Sequence, residues 1–379
     1  MSDQKLNAAF QHLYETALEI NEVPEFIEIM YKHRMNVFMW GNPGIGKTDT
    51  VRQFVAKMRA ENPDFQAYYM TLAHMDPTDL SGLPTFDEKD GIKVTTWATP
   101  DFLPRDPNAV GVMFLDEYNN ASGAVQNACQ QLIQERRIGN YHLPDGIFII
   151  AAGNPTGQNA FSTELSAPTK NRFAHIFVKT NMKAWTEYFL TQGLKPETSQ
   201  LVLGFLEQNP DSFEDTTAMN AGELNFGTPR NWSKFAQVLN DNLDLPYHMI
   251  MNLASAYLGS AFGGKFASYK NDIAKYQSPM EIIEGKPFKC AKDDSIGFYN
   301  TMYGVYATLY SWLDDKSKRA DIGKGLLNLL EAATNHGAPD MATATVRKIA
   351  DSKLLSPEFL SLNDLQKVAT LVAKYNNKQ

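Results

Sequence analysis

Apolar positions along the chain fall into three regimes. Leu6, Phe10, Leu13, Tyr14 and Leu18 recur at helical spacing, and Pro24 opens a second run, so residues 1–33 read as two helices. From Met35 to Trp40 the pattern becomes a short apolar run closed by a glycine-rich turn, which reads as a buried strand. Four similar runs follow, at 66–71, 110–115, 147–152 and 174–178, and helical patterns separate most of them. This alternation predicts an α/β core, a parallel five-stranded sheet between helices. Two hairpins interrupt it. Asp90-Gly91 joins 83–86 to 92–97, and Gly139-Asn140 joins 137–138 to 141–143. Beyond Thr180 the strand signal ends and the rest of the chain reads as helical.

Composition narrows the class of protein. A length of 379 residues points to two or three domains. Apolar content of 43% and charged content of 21% suit a chain that folds around its own core. The two cysteines, Cys129 and Cys290, lie far apart, which excludes a disulfide scaffold and a cysteine-based zinc or iron–sulfur site. The seven histidines include no His-x-x-x-His pair, and no nucleophile-elbow serine is present. Lys and Arg number 35 against 43 Asp and Glu, a formal charge of −8. That balance disfavours a dedicated duplex-DNA binder while leaving room for a local basic patch. The opening MSDQKLNAAF has no basic segment followed by an apolar one, so the expected compartment is the cytoplasm. Residues 245–264 carry no charge, but Pro246, His248, Asn252 and several Gly and Ser make them a closely packed internal helix and not a membrane span.

Candidate chemistry begins directly after the first strand. Gly41-Asn42-Pro43-Gly44-Ile45-Gly46-Lys47-Thr48 has the spacing G-x-x-x-x-G-K-[ST], between a strand and a helical pattern at 50–58. Its glycines let backbone N–H groups wrap a phosphate, and the helix start adds its positive end. Lys47 suits the β- and γ-phosphates, and Thr48 offers a hydroxyl to Mg²⁺. The strand Val112-Met-Phe-Leu-Asp116-Glu117 ends in two carboxylates. Asp116 can hold the metal through water, and Glu117 can polarise an attacking water. Asn154, before Pro155, ends the next core strand, where it reads either as a holder of water or γ-phosphate or as a turn former. In the helix at 121–136, Cys129 shares a face with Val125, Leu132 and Ile133 and reads as a core thiol. Tyr299, Tyr303, Tyr306 and Tyr310 share a helix face that suits a packed core better than stacked bases.

The order of phosphate loop, Asp-Glu strand, Asn-ended strand, Asn171-Arg172-Phe173 and Thr228-Pro229-Arg230 resembles the AAA+ ATPases, and more narrowly their MoxR-type, dynein-related branch. Met75-Asp-Pro-Thr-Asp-Leu-Ser-Gly-Leu-Pro84, Phe114-Leu-Asp-Glu-Tyr-Asn-Asn-Ala121 and the stretch 167–173 carry the narrower likeness, which is specific over residues 34–235. The resemblance implies N-terminal helices at 1–33, an AAA+ P-loop core at 34–180, a helical lid at 181–243 and an all-helical C-terminal extension at 244–379. It implies a homo-oligomeric ring, usually a hexamer, with ATP and Mg²⁺ between subunits. Asn42 to Asp49, Asp116 and Arg230 would bind the nucleotide, and Thr48 and Asp116 would hold the metal. Glu117, Asn154 and Arg172 would be catalytic, Asn154 as the first sensor, Arg172 as the arginine finger and Arg230 as the second sensor. Read from the residues alone, the alternative for Arg172 is a structural ion pair and that for Arg230 a first-turn surface arginine, with Thr228 as a cap. Arg136 and Arg137 are the next arginines to consider for the finger role. The implied work is remodelling of a protein partner, often one with a von Willebrand factor A domain, with the hairpins facing the axial side of the ring. The alternatives are an AAA+ motor or loader on nucleic acid and a non-hydrolysing nucleotide-gated scaffold. The sequence departs from the branch in having Thr-Pro-Arg for Ser-Pro-Arg and Glu-Tyr-Asn-Asn for Glu-Ile-Asn-Arg.

Overall fold

A computed structural model describes residues 15–155, 165–273 and 275–376. The first of the two N-terminal helices expected from sequence lies outside the described residues. The chain divides after Asn181 into two compact units.

The first unit is built on a parallel sheet of strands β1 (Leu18–Glu19), β2 (Val37–Trp40), β3 (Gln66–Thr71), β6 (Gly111–Asp116), β9 (Ile147–Gly153) and β10 (Ala174–Lys179), in the order β1-β10-β2-β9-β6-β3. The sheet has six strands, not the expected five. The added strand corrects the reading of Leu18 as helical: Leu18 and Glu19 pair with Val178 and Lys179 at the sheet edge. Two residues are too few for a periodic signal, so only the neighbouring strand makes them a strand.

Helices α1 (Val23–Lys32), α2 (Lys47–Glu61), α3 (Pro77–Ser81), α4 (Gly123–Glu135) and α5 (Ala167–Lys170) connect or flank the strands. β9 is buried along its whole length, as a strand covered on both faces must be. Alternate residues feed two separate cores. Val37, Met39, Phe114, Ile150 and Val178 pack with Val23 and Ile27 of α1 and Val51, Phe54 and Val55 of α2. Phe38, Trp40, Leu115, Ile149 and Phe177 pack with Val125, Cys129, Leu132 and Ile133 of α4. Cys129 is fully buried there, and burial pushes its thiol up to about 12, as befits a packing residue.

Both expected hairpins form. β4 (Leu83–Lys89) pairs antiparallel with β5 (Ile92–Ala98), and β7 (Arg137–Ile138) with β8 (Tyr141–His142). Asp90 (φ 55°) and Gly91 (φ 75°) are both left-handed, the backbone that a tight hairpin turn demands.

The second unit contains helices and short helical turns among its described residues. One hydrophobic core runs from Trp185 to Val368. The tyrosine face of the helix Ser295–Ser311 lies within it. Tyr303, Tyr306 and Tyr310 are buried, and the Tyr303 hydroxyl donates to Glu207 at 2.6 Å. The uncharged stretch at 245–264 is cut by Gly259, the cap between the helices Tyr247–Leu258 and Ser260–Ile273. Among the described residues no helix is long and apolar enough to cross a membrane.

Candidate nucleotide-binding site

Three neighbouring strands, β2, β9 and β6, bring their C-terminal ends to one edge of the sheet. Trp40 pairs with Gly153 and Leu115 with Ala151, so Gly41, Asn154 and Asp116 emerge side by side. Ligands of parallel α/β sheets bind outside these strand ends. The loop after Trp40 turns into α2 through Gly44 (φ 77°) and Gly46 (φ 106°), a backbone that side chains with a Cβ rarely adopt. A Cβ built on Gly46 meets nothing within 4 Å, so the space above the loop is open.

Lys47, the first residue of α2, is buried. Its Nζ donates to Gly41 O at 2.6 Å, Asn42 O at 3.0 Å and Asn154 Oδ1 at 2.9 Å. The ammonium therefore ties the loop to the end of β9. Thr48 Oγ1 donates to Asp116 Oδ2 at 2.7 Å, joining the start of α2 to the end of β6. Pro43 and Ile45 lie within the loop, with Ile45 buried. Asp49 is exposed and pairs with Arg52 at 2.8 Å. Glu117 is left-handed (φ 53°, ψ 36°), and its N–H donates to Asp116 Oδ1 at 2.9 Å. That backbone costs a non-glycine residue about 1–2 kcal/mol, and it turns the chain sharply between the two acids.

Sequence reasoning missed Asn119. It is fully buried, its Nδ2 donates to Asn154 O at 2.7 Å, and its Oδ1 accepts from Asn154 N at 3.1 Å. Asn119 thus clamps the backbone of the residue whose side chain holds Lys47. A Cβ on Gly153 would come 2.5 Å from Asn119 Oδ1, so glycine there leaves room for the clamp. The signal was an amide two residues after Glu117, indistinguishable from a loop residue until β9 lies beside β6. Asn119→Ala is expected to cost about 2 kcal/mol by leaving the Asn154 backbone unpaired, read as a lower melting temperature.

The arginines are placed differently. Arg172 precedes β10 and is half-buried, its Nη1 donating to Pro168 O at 2.8 Å. Ala174 pairs with Val37, at the start of β2, whereas the phosphate loop follows its end. Four residues at ~3.3 Å each separate those levels by roughly 13 Å, so the Arg172 backbone lies at the opposite edge of the sheet from the loop. Arg136 caps α4 in a left-handed turn and donates to Pro144 O and Ile147 O, and Arg137 pairs with Glu135 at 2.7 Å. Both are held by hairpin and loop structure. Arg230 belongs to the second unit, exposed in the first turn of the helix Pro229–Asn240, where Thr228 Oγ1 accepts from Asn231 N at 3.1 Å.

A glycine-permitted loop from a central parallel strand into a helix, with a buried lysine at the turn, defines a P-loop nucleotide-binding domain. Residues 36–173 match the family model described as AAA domain (dynein-related subfamily). A search of curated proteins found no significant match. Among solved structures, a provisionally assigned ATPase from Cytophaga hutchinsonii is 14% identical, with 97% of this chain and 84% of that one covered and a TM-score of 0.32. The RuvB Holliday junction branch migration motor of Thermotoga maritima is 14% identical, covering 73% and 79%, with a TM-score of 0.33. NtrX from Brucella abortus is 14% identical, covering 87% and 67%, with a TM-score of 0.31. These overlays are loose, and the fold assignment rests on the sheet order, the phosphate loop and the family match.

Proposed function

We propose that the chain is a Mg²⁺-dependent ATPase that assembles into a ring, each site completed by a neighbour, and remodels a protein partner. The observation that carries this reading is the convergence of Lys47, Thr48, Asp116 and Asn154 at one sheet edge, beside the turn that presents Glu117. Thr48 Oγ1 and Asp116 Oδ2, 2.7 Å apart, are hard oxygen donors of the kind Mg²⁺ takes. Bound there with ATP, the metal would neutralise charge on the β- and γ-oxygens. The loop N–H groups and the Lys47 ammonium then bind and orient the triphosphate. Asn154 and Glu117 hold the attacking water in line, and Glu117 takes its proton. In this reading residues 181–243 are the lid, with Arg230 contributing to the nucleotide, and 244–379 are the extension.

A protein partner is favoured by the first hairpin. Leu83 is 64% exposed, Phe86 90% and Ile92 66%, and the sequence around its tip carries charges of both signs, Asp87, Glu88, Lys89, Asp90 and Lys93. Exposed apolar side chains on a projecting pair of strands suit contact with a protein surface. The Trp97 indole lies beside Gly139 of the second hairpin. A partner with a von Willebrand factor A domain rests on the family resemblance alone.

The reading is tested by turnover and by trapping. Purified protein should release phosphate from ATP only with Mg²⁺, and the Glu117→Gln variant loaded with ATP should retain its protein partner. Absence of turnover in folded, oligomeric protein sinks it. Phe86→Ser with Ile92→Ser should leave nucleotide affinity within about twofold and weaken partner retention, because neither residue is near a phosphate ligand. A collapse of ATP affinity in the folded double variant would refute the assignment of the hairpin to partner action.

A further inference from the structure

His175 lies on β10, three residues after Arg172, and both of its ring nitrogens are engaged. Trp40 Nε1 donates to His175 Nδ1 at 3.0 Å, and His175 Nε2 lies 2.8 Å from Lys170 O. An Nδ1 that accepts and an Nε2 that faces a carbonyl define one neutral tautomer, with the proton on Nε2. Burial holds the imidazole below its ordinary value, in keeping with the neutral ring. The ring also packs against Phe38 (5.5 Å between centroids) and edge-on to Phe173 (6.4 Å).

The two partners belong to opposite ends of the sheet. Trp40 is the last residue before the phosphate loop, and Lys170 closes α5, the turn from which Arg172 projects. That turn is short. Ser166 Oγ caps its start by accepting from Thr169 N at 3.4 Å, and the Arg172 guanidinium folds back onto Pro168 O. At its end, His175 is the side chain that grips the Lys170 carbonyl. The same aromatic cluster includes Tyr118, which follows Glu117, and Phe173, which follows Arg172, with ring centroids 6.3 Å apart. One packed group thus touches the residues adjoining the phosphate loop, the second carboxylate and the arginine.

We infer that His175 is a positioning residue for Arg172: its Nε2–H holds the α5 turn in the geometry that presents the guanidinium to a neighbouring subunit, and Trp40 braces the ring from the phosphate-loop side. This rests on the proposal that Arg172 completes the neighbour's site. Backbone bonds from Asn171 N to Ala167 O and Arg172 N to Thr169 O close the turn, and the Nε2 bond anchors it to β10, so without that anchor Arg172 loses its aim while its own subunit's nucleotide ligands are untouched.

The test uses full-length chains in mixed assemblies. Glu117→Gln chains mixed with Arg172→Ala chains regain turnover at interfaces that pair an intact Glu117 with an intact Arg172. His175→Phe, which keeps the ring packing and removes both hydrogen bonds, is then added to one chain or the other. On the Glu117→Gln chain, which supplies Arg172, it should cut the regained rate about tenfold to a hundredfold, the scale of a misaimed catalytic group. On the Arg172→Ala chain the loss should be at least tenfold smaller. His175→Gln, whose amide can still donate to Lys170 O, should restore the rate. Equal losses on the two chains, or full activity with His175→Phe on the supplying chain, overturn the inference. If His175→Phe does not fold, His175→Asn replaces it, since its shorter amide can accept from Trp40 but not reach Lys170. Full regained activity with Asn on the supplying chain overturns the inference equally. If the parent mixture regains nothing although labelled subunits exchange, the role of Arg172 across the interface fails first, and the inference falls with it.

Discussion

Lys47→Ala abolishes tight nucleotide binding, whereas Glu117→Gln keeps binding and loses turnover. The two effects separate because the residues act at different stages. Lys47 is buried, and its ammonium already sits among three oxygen acceptors at the mouth of the loop. In the proposed mechanism it meets the phosphates in the ground state, so its loss should weaken ATP binding by about 3 kcal/mol, roughly a hundredfold in Kd. Glu117 follows Asp116 on a turn whose backbone is left-handed. In the proposed mechanism its carboxylate acts on the attacking water, so the amide should lower kcat by about 10²–10⁴ while Kd stays within about twofold. Isothermal titration and phosphate release measure the two quantities separately. Normal hydrolysis by Glu117→Gln would remove it from the catalytic role.

Mixing the inactive Glu117→Gln and Arg172→Ala chains is expected to restore ATPase activity. The sheet register supplies the reason, since Arg172 emerges at the start of β10, beside the start of β2, while the phosphate loop leaves the other end of β2. The Arg172 backbone is thus remote from its own loop. Its guanidinium donates to Pro168 O, and among the described residues it has no acidic partner. An arginine finger supplied across an interface is worth ~10³–10⁵ in rate, because its permanent charge and planar fork match phosphate oxygens. In a random equal mixture about a quarter of the interfaces hold both intact residues, so the regained rate should approach that share of the parent activity. With exchange confirmed by labelling, silence in the mixture means that Arg172 works within its own subunit or only shapes its turn. Arg136 and Arg137 are poor substitutes, since Arg136 is spent on the carbonyls of Pro144 and Ile147 and Arg137 on Glu135.

Local chemistry made much of the site legible before any fold was known. Residues 41–48 combine glycines, a lysine and a threonine whose spacing has meaning wherever a strand leads into a helix, and the structure sets them in that context. The core strands at 110–115, 147–152 and 174–178 announced themselves as short apolar runs, as strands covered by helices require, whereas in the edge strand at 66–71 only Met70 is buried. Asp90-Gly91 marked its hairpin because few residues accept two successive left-handed positions. Other features needed the tertiary structure, since their meaning lies in a partner far away in sequence. Leu18–Glu19 is a strand only because β10 lies beside it. Asn119 is a clamp only because Asn154, 35 positions later, presents its backbone across the β6–β9 pair. His175 is one more imidazole on an apolar strand until Trp40, 135 residues earlier, and the Lys170 carbonyl fix its two nitrogens. Hydrophobic periodicity and turn chemistry are properties of neighbours along the chain, and the sequence alone determines them. Hydrogen-bond partners across a sheet are set by strand order and register, and only the folded chain decides those.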